Sequence, residues 1–341
     1  LLSKIFPPTI SKRTDGIGCS GHMVSFWRYC CVLCSKTIDR KTLKLNMNAQ
    51  YIGLLGATSL LGECLLRQLV QDNWHITAFS RHPVPQTHPN IKWQQLGISG
   101  QANENIGMNN ISTWLCVAPI WVLPEYFGLL SAYGAQRIVV LSSTSRFTKE
   151  VSSNFSEREI ALQLIKGEEL VQAWAEAHGI DWIILRPTLI YGYGRDKNVA
   201  EIAKFIRRFG FFPVLGSANG LRQPVHVEDV ASACCSAISA LNLTNRSYDL
   251  TGGETLHYRE MVKRVFAALN RRPRIFTIPL WLFQMATWGL RWLPRYQSWT
   301  AAMAERMNQD LRFDCSDAKQ DLNFFPRSFS LAQEDLPRKT D

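Results

Sequence analysis

The sequence predicts an α/β fold, with a doubly wound parallel sheet and a small C-terminal α+β lobe. Apolar strand-like runs alternate with helix-like patterns from residue 50 onward. Strands buried on both faces read as continuous apolar runs, and the helical stretches between them are long enough for the crossovers that parallel strands require. Beyond residue 190 the pattern loosens into loops punctuated by Gly and Pro, with short strands and two further helices. This change predicts the second lobe.

These patterns divide the chain into four segments. With 341 residues, 46% of them hydrophobic, the chain can bury the core of one large or two modest domains. We expect an extension of uncertain status over residues 1–46, a sheet domain over 47–190, a smaller lobe over 191–330 that interleaves with the last sheet strands, and a tail over 331–341.

Most of the positive charge lies in the expected extension. The formal net charge is +10, and residues 1–46 hold eight Lys or Arg against two Asp or Glu, which leaves +4 for the rest of the chain. The helical stretches beyond it mix both signs, so we expect no nucleic-acid partner. We expect the extension to be sequence upstream of the natural start. A basic targeting arm and a small metal-binding appendage are the alternatives.

The cysteines do not predict a metal site. Cys31 and Cys34 form a CxxC pair close to Cys19, His22 and Cys30, but a closed zinc site usually combines two such pairs at a set spacing. The other cysteines fall within apolar periodic segments, where free thiols behave as small hydrophobic side chains. They fit a reducing compartment, and we expect a cytoplasmic protein.

One apolar segment, residues 275–293, has about the length of a membrane span. It contains Pro279, Gln284, Gly289 and Arg291, which argue against a span. We expect a buried or partner-facing helix here. The alternative is an amphipathic helix that lies on a membrane surface.

The first turn of the predicted sheet carries two glycines six residues apart. Gly56 ends a buried strand, where a tight turn excludes a Cβ atom, and Gly62 lies one turn into the next helix, where close packing on the strand excludes one too. The amides of Thr58, Ser59 and Leu60 would then point from the helix N-terminus toward an anion. The loop predicts a diphosphate site, and a tight turn with nothing bound is the alternative.

The segment LLGATSLLG resembles the TGxxGxxG fingerprint of the extended and atypical short-chain dehydrogenases, the family that includes nucleotide-sugar epimerases and dehydratases. Ser59 replaces the middle glycine. Similar landmarks follow in family order within residues 50–330: VAPI, LSSTS, LRPTLIYGYG and PVHVEDVASA. The resemblance implies a Rossmann-like domain over 47–190 that binds NAD(P), and a lobe that takes a small-molecule substrate such as a nucleotide sugar.

The resemblance also implies which residues of these landmarks touch the cofactor. The VAPI segment passes the cofactor ribose in the family, and the RPxxxYG segment lies beside the nicotinamide. Arg186 is expected to anchor a loop or contact a substrate phosphate rather than transfer a proton. The implied cofactor-binding residues are Val117, Ala118, Pro119, Ser142, Ser143, Arg186 and Pro187.

The end of the second strand predicts NADP rather than NAD. A carboxylate normally accepts a hydrogen bond from the ribose 2′-hydroxyl at this place, but the chain has Ser80 there, followed by Arg81. The guanidinium fork of arginine suits a 2′-phosphate. A surface arginine without a ligand is the alternative.

The proton relay that the resemblance implies is only partly present. The family carries a Tyr and a Lys four residues apart on one helix face, where the positive charge lowers the Tyr pKa, and a Ser or Thr that Thr144 matches. One register of LIKGEELV puts Ile160 and Leu164 at the Tyr and Lys positions, and the other puts Leu162 and Lys166 there. Neither register restores a phenol.

Two interpretations follow for catalysis. Either another group near the cleft transfers the proton, or the domain binds its cofactor without turnover. Thr144 and Tyr191 are the candidate catalytic residues, and Tyr193, Glu157 and His226 are further candidates. The alternative for each of these side chains is a purely structural role, such as packing, hydrogen bonding or charge at a helix N-terminus. The alternative function is a non-catalytic NADP-binding structural, sensing or assembly protein that docks on a partner or a membrane through residues 275–293.

Overall fold

The computed structural model describes residues 50–86, 88–97, 110–150, 152, 154–282, 285 and 306–338. The expected extension over residues 1–46, with its CxxC pair, lies outside them. Among the described residues no group of three His, Cys, Asp or Glu side chains is placed to hold a metal ion.

Seven parallel strands form the central sheet, which confirms the predicted doubly wound fold. They are β1 (Tyr51–Leu55), β2 (His75–Ser80), β3 (Ile91–Gln95), β4 (Thr113–Cys116), β5 (Arg137–Leu141), β6 (Asp181–Pro187) and β11 (Arg246–Leu250). Their order is β11-β6-β5-β4-β1-β2-β3. The chain therefore winds outward from β1 to β3 and then returns to β4. The point where the order reverses, between β1 and β4, is where open α/β sheets bind ligands, outside the carboxyl ends of the strands.

Helices cover both faces of this sheet. The described helices are α1 (Leu60–Gln71), α2 (Phe127–Ala132), α3 (Ser145–Thr148), α4 (Phe155–Ala177), α5 (Val199–Phe209), α6 (Val227–Ser239), α7 (Tyr258–Ala268) and α8 (Ser316–Leu322), with 3-10 turns at Ile120–Tyr126 and Gln333–Asp335. Alternate strand residues enter opposite cores: Leu115 packs with α1 and α6, whereas Trp114 packs with α4 and the first 3-10 turn. This alternation explains why the strands are apolar throughout.

The second lobe contains three small two-stranded sheets. They pair β7 (Ile190–Tyr191) with β10 (Val225–His226), β8 (Phe212–Leu215) with β13 (Ile275–Ile278), and β9 (Leu221–Arg222) with β12 (Leu256–His257). Helices α5 and α7 share a core with β8. By contrast, α6 and β11 pack into the core of the sheet domain.

The chain end beyond residue 330 is packed rather than free. Asp335 and Leu336 are both buried. The Asp335 carboxylate lies 3.0 Å from Nε2 of His226 and accepts a hydrogen bond from the Tyr193 amide. The described part of the expected tail therefore belongs to the second lobe.

The apolar segment 275–293 begins as a strand, and the expected helix starts only after Pro279 in the described residues. Its residues 275–278 form β13, and of the remainder the structure describes 279–282 and 285, of which 280–282 and 285 are helical. The residues Ile275, Thr277 and Ile278 are β-branched, and Pro279 disfavours a helical conformation at the residue before it. Within the described residues, no helix has both the length and the apolarity needed to cross a bilayer.

Candidate functional site

The turn between β1 and α1 has no room for side chains at its two glycines. Gly56 adopts a left-handed conformation with φ of +85°, and a Cβ atom there would lie 2.5 Å from the Ala118 amide nitrogen. A Cβ atom on Gly62 would lie 2.3 Å from the carbonyl oxygen of Gly56. Both glycines therefore bring backbone against backbone at the switch point of the sheet.

Ser59 caps α1 at the position of the family's middle glycine. Its hydroxyl accepts a hydrogen bond from the Gly62 amide at 3.0 Å, and its own amide donates to the Gly56 carbonyl at 3.0 Å. Of the three amides expected to face an anion, that of Ser59 is therefore already hydrogen-bonded within the turn. The amides of Thr58 and Leu60 donate to no acceptor in the described part of the chain. These two N–H groups, with the helix dipole behind them, remain available to an anion.

A cavity of about 280 Å³ opens beside this turn. Ser59, Leu60 and Val117 line it from the sheet domain, and Arg195 and Lys197 line it from the second lobe. Arg195 also forms an ion pair with Glu63 of α1 at 2.5 Å. The cavity is therefore placed between the carboxyl ends of the strands and the lobe, where the switch-point rule predicts a ligand.

The neighbouring cofactor candidates of the VAPI segment lie at the same edge of the sheet. Val117 is buried, and its amide donates to the Leu55 carbonyl at 2.9 Å. Ala118 lies against Gly56, as the close approach of its amide nitrogen shows. Pro119 is exposed and precedes the first 3-10 turn. The structure therefore brings this segment to the glycine turn.

Ser80 and Arg81 end β2 as the sequence predicted. Ser80 is buried, and its hydroxyl accepts a hydrogen bond from the His82 amide at 3.2 Å. Arg81 is exposed, and its guanidinium forms no ion pair with any described residue. This strand end therefore presents a free cation and no carboxylate.

Ser142 and Arg186 direct their polar groups to a buried carboxylate rather than to the cofactor cavity. The Glu168 side chain of α4 is 1% exposed and accepts hydrogen bonds from Ser142 Oγ at 2.5 Å and from Arg186 Nη2 at 2.6 Å. Arg146 also contacts this carboxylate. A buried carboxylate needs such partners, and the guanidinium of Arg186 is committed to this one on α4.

A second cavity of about 420 Å³ adjoins the first, since Ile190 lines both. Ser143, Thr144 and Lys149 line it from the loop and helix after β5. Arg222 and Tyr258 line it from the second lobe. The two cavities together form a cleft over the carboxyl ends of the strands.

Two cations in this second cavity form no salt bridge with a described residue, although Glu157 attracts Lys149 and Asp310 attracts Arg222 from a longer distance. Arg222 is 4% exposed, and its guanidinium donates to the carbonyls of Leu221 and Gln309 at 2.6 and 2.8 Å. Burial lowers the pKa of Arg222 to about 10. Burial also lowers the pKa of the Lys149 ammonium. Cations that are desolvated and unpaired favour an anionic ligand.

Of the two candidate catalytic residues, only Thr144 lines this cleft. Thr144 Oγ1 donates to the Pro187 carbonyl at 3.3 Å, so its hydroxyl hydrogen is committed. Tyr191 is fully buried, and its hydroxyl donates to the Ser330 carbonyl at 3.4 Å. Burial raises the pKa of Tyr191 to about 12. Its side chain packs on His226 in the core of the second lobe, so it does not suit proton transfer in the cleft.

The other proton-transfer candidates have structural partners. The Tyr193 hydroxyl contacts the Glu228 carboxylate, and Nε2 of His226 lies within hydrogen-bond distance of the Asp335 carboxylate. Glu157 forms an ion pair with Arg306 at 3.1 Å. These contacts agree with a structural, non-catalytic role for each of the three side chains.

Helix α4 presents no phenol in either register. Ile160 and Leu162 are 36% and 58% exposed, and Lys166 is exposed as well. Leu164 is buried in the core between α4 and the sheet.

The sequence analysis did not identify Lys149, Arg222 and Tyr258. Arg222 could have been found, because it lies four residues before His226 and two residues before the start of the PVHVEDVASA landmark. Lys149 carries no such signal, since a lysine in a polar loop normally indicates a solvated surface.

Comparisons with known proteins agree with this architecture. The NAD dependent epimerase/dehydratase family model matches residues 127–250. Over 300 residues the chain is 25% identical to the uncharacterized protein y4nG of Sinorhizobium fredii, covering 80% of this chain and 74% of that protein. Over 180 residues it is 20% identical to the UDP-glucose 4-epimerase of Vibrio cholerae, covering 52% of each. The solved structure of MoeE5 in complex with UDP-glucose and NAD superposes with a TM-score of 0.60 at 17% identity, covering 82% of this chain and 94% of that one.

The chain shares its Rossmann-like fold with solved structures of nucleotide-sugar epimerases and with MoeE5. The resemblance to the NAD-dependent epimerase/dehydratase family, expected from its motifs, is confirmed as well.

Proposed function

We propose that this chain binds a nicotinamide dinucleotide over the β1–α1 turn and converts a nucleotide sugar in the adjoining cavity. The observation that carries the proposal is the turn itself, where the free amides of Thr58 and Leu60 stand at a helix N-terminus beside the switch-point cavity. When bound, the nicotinamide accepts and returns hydride. The complex of MoeE5 with UDP-glucose and NAD supports the same pair of ligands on this fold.

The geometry of the turn supports a diphosphate site. Gly56 and Gly62 let the turn pack closely on Ala118 and let α1 pack closely on the turn, and Ser59 caps the first turn of α1. Val117 and Ala118 hold the opposite side of the same edge.

The second cavity supports an anionic substrate. Arg222 would orient its phosphates, because the guanidinium is held by two backbone carbonyls, and Lys149 would add a second positive charge. The five described cysteines without a disulfide, four of them buried, support the cytoplasm as the site of this activity.

Within this proposal, NADP is the preferred cofactor. The solved MoeE5 complex contains NAD, which supports a nicotinamide dinucleotide, either NAD or NADP, as the cofactor of this chain. The finer choice rests on Ser80, which offers no carboxylate to a ribose 2′-hydroxyl, and on the unpaired guanidinium of Arg81.

A protein that holds the dinucleotide without turnover is the second candidate. It is favoured by α4, since neither Ile160 nor Leu162 has a proton to transfer at the family's Tyr position. Incubation with UDP-glucose and NADP separates the two: a changed sugar or a reduced nicotinamide supports conversion, and binding of both ligands without either change supports the second candidate.

Replacing Ser59 tests the diphosphate site. Ser59→Asp retains a good N-cap but puts a negative charge beside the proposed diphosphate, so NADPH affinity should fall about tenfold or more. The matched control, Ser59→Asn, also caps the helix and should stay within about threefold of the original. Fluorescence titration with NADPH measures both. Equal affinities of the two variants would place the diphosphate elsewhere.

Replacing Arg81 tests the cofactor preference. Arg81→Ala should weaken NADPH binding about 10- to 100-fold through the loss of charge-assisted hydrogen bonds, and should change NADH binding by less than about threefold. Lys92→Ala, an exposed basic residue on β3, is the control. Tighter binding of NADH than NADPH by the unaltered protein would reject the NADP preference and leave the dinucleotide site intact.

Replacing Lys149 tests the anionic substrate. Lys149→Gln should lower the affinity for UDP-glucose about tenfold, because a desolvated cation loses its charge. Lys166→Gln, on the exposed face of α4, should leave it unchanged. Isothermal titration gives both affinities. If Lys149→Gln binds UDP-glucose as tightly as the control, the cavity does not hold the nucleotide phosphates.

A further inference from the structure

A row of exposed aromatic rings crosses the second lobe on segments that the proposed function does not use. The rings of Phe209 and Phe211 lie 6.2 Å apart, and those of Phe211 and Phe276 lie 5.3 Å apart. Phe209 is 51% exposed and Phe276 is 58% exposed. Trp281, which follows β13 along the chain, is 62% exposed. We call the surface of residues 207–211 and 271–276 the basic aromatic patch.

Arginines accompany these rings. The guanidinium of Arg208 lies 5.2 Å from the centre of the Phe209 ring. Arg271 donates to the carbonyls of Ile206 and Arg207 at the end of α5, at 2.6 and 3.2 Å, so its charge is held next to Phe209. Arg272 and Arg274 are exposed on the segment that leads into Phe276.

Acidic residues are missing from the sequence around this patch. Residues 202–227 and 261–304 contain no Asp or Glu. Among the described residues, the arginines at 208, 271, 272 and 274 form no salt bridge, because the ion pairs of the lobe lie at other positions. The patch therefore carries a positive charge that its own elements do not neutralise.

This combination of groups determines the kind of partner. Exposed Phe and Trp side chains cost free energy in water, and contiguous apolar patches of this kind mark interaction surfaces. Arginines around aromatic rings match an anionic bilayer, where the rings enter the headgroup region and the guanidinium groups meet lipid phosphates. A purely apolar protein partner would leave the arginines without counter-charges.

We propose that the basic aromatic patch docks the protein on the surface of an anionic membrane. The docking is peripheral, with the rings of Phe209 and Phe276 as apolar anchors and the arginines as lipid contacts. It is independent of the cofactor turn and of the anionic cavity.

Vesicle sedimentation of the full chain tests this proposal. Vesicles of phosphatidylcholine and phosphatidylserine in equal parts should sediment the protein at low salt, whereas vesicles of phosphatidylcholine alone should not. Added salt should release the protein, because exposed charges are screened. The double variant Arg272→Glu, Arg274→Glu should lower the partition onto anionic vesicles at least about tenfold.

A matched pair of variants isolates the apolar anchors. Phe276→Glu should lower the same partition, and Phe325→Glu, a 74% exposed phenylalanine outside the patch, should not. Both rings are largely exposed, so thermal unfolding should show intact folding. The proposal is overturned if the unaltered protein stays in the supernatant with anionic vesicles, or if the patch variants bind them equally well. A dimer in solution that Phe276→Glu dissociates, without vesicle binding, would instead assign the patch to a second copy of the chain.

Discussion

The close approach of backbone to backbone at the β1–α1 turn is the constraint on which the site depends. Gly56 lies against Ala118 of the β4 loop, and Gly62 lies against the carbonyl of Gly56, so the N-terminus of α1 is held at the reversal point of the sheet. Any side chain at either glycine would push the helix away from the strands. The same contacts leave the amides of Thr58 and Leu60 at the helix N-terminus with no acceptor in the described part of the chain, and such amides suit the proposed diphosphate.

The second lobe completes the cleft by supplying charge. Helix α6 and strand β11 lie within the stretch of sequence that forms the second lobe, but they pack into the core of the sheet domain. The chain therefore connects the lobe to the sheet domain at several points. Arg222 is buried without a salt bridge to a described residue, so the proposed anionic substrate would offset part of the cost of its burial. Helix α4 lacks the expected phenol, whereas the second cavity carries positive charge. Ligand binding is therefore better supported by the structure than the proton-transfer step.

The sequence was sufficient for the features set by periodicity and by glycine geometry. The strands, the turn at Gly56 and the ends of β2 at Ser80 all follow from local rules. The direction of side chains in short elements does not follow from local rules. Tyr191 lies in a two-residue strand, and its ring turns into the lobe core because of packing on His226 and Phe329, which are distant in sequence. Pairing with β8 likewise makes residues 275–278 a strand, since tertiary contacts override the apolar pattern.

Local sequence patterns also could not predict the buried polar groups that contact each other across the fold. Glu168 lies in the LIKGEELV segment, where the sequence assigned it no role, yet its carboxylate contacts Ser142 after β5, Arg146 of α3 and Arg186 of β6. Lys149 became significant only through the burial of its ammonium in a cavity shared with Arg222.

Hydrogen exchange of individual backbone amides tests the central claim most directly. With saturating NADPH, the exchange of the Thr58 and Leu60 amides should slow markedly, because both would donate to the bound diphosphate, while the Ser59 amide, already bonded to Gly56, should change little. Unchanged exchange at Thr58 and Leu60 in a protein that nevertheless binds NADPH would contradict the account.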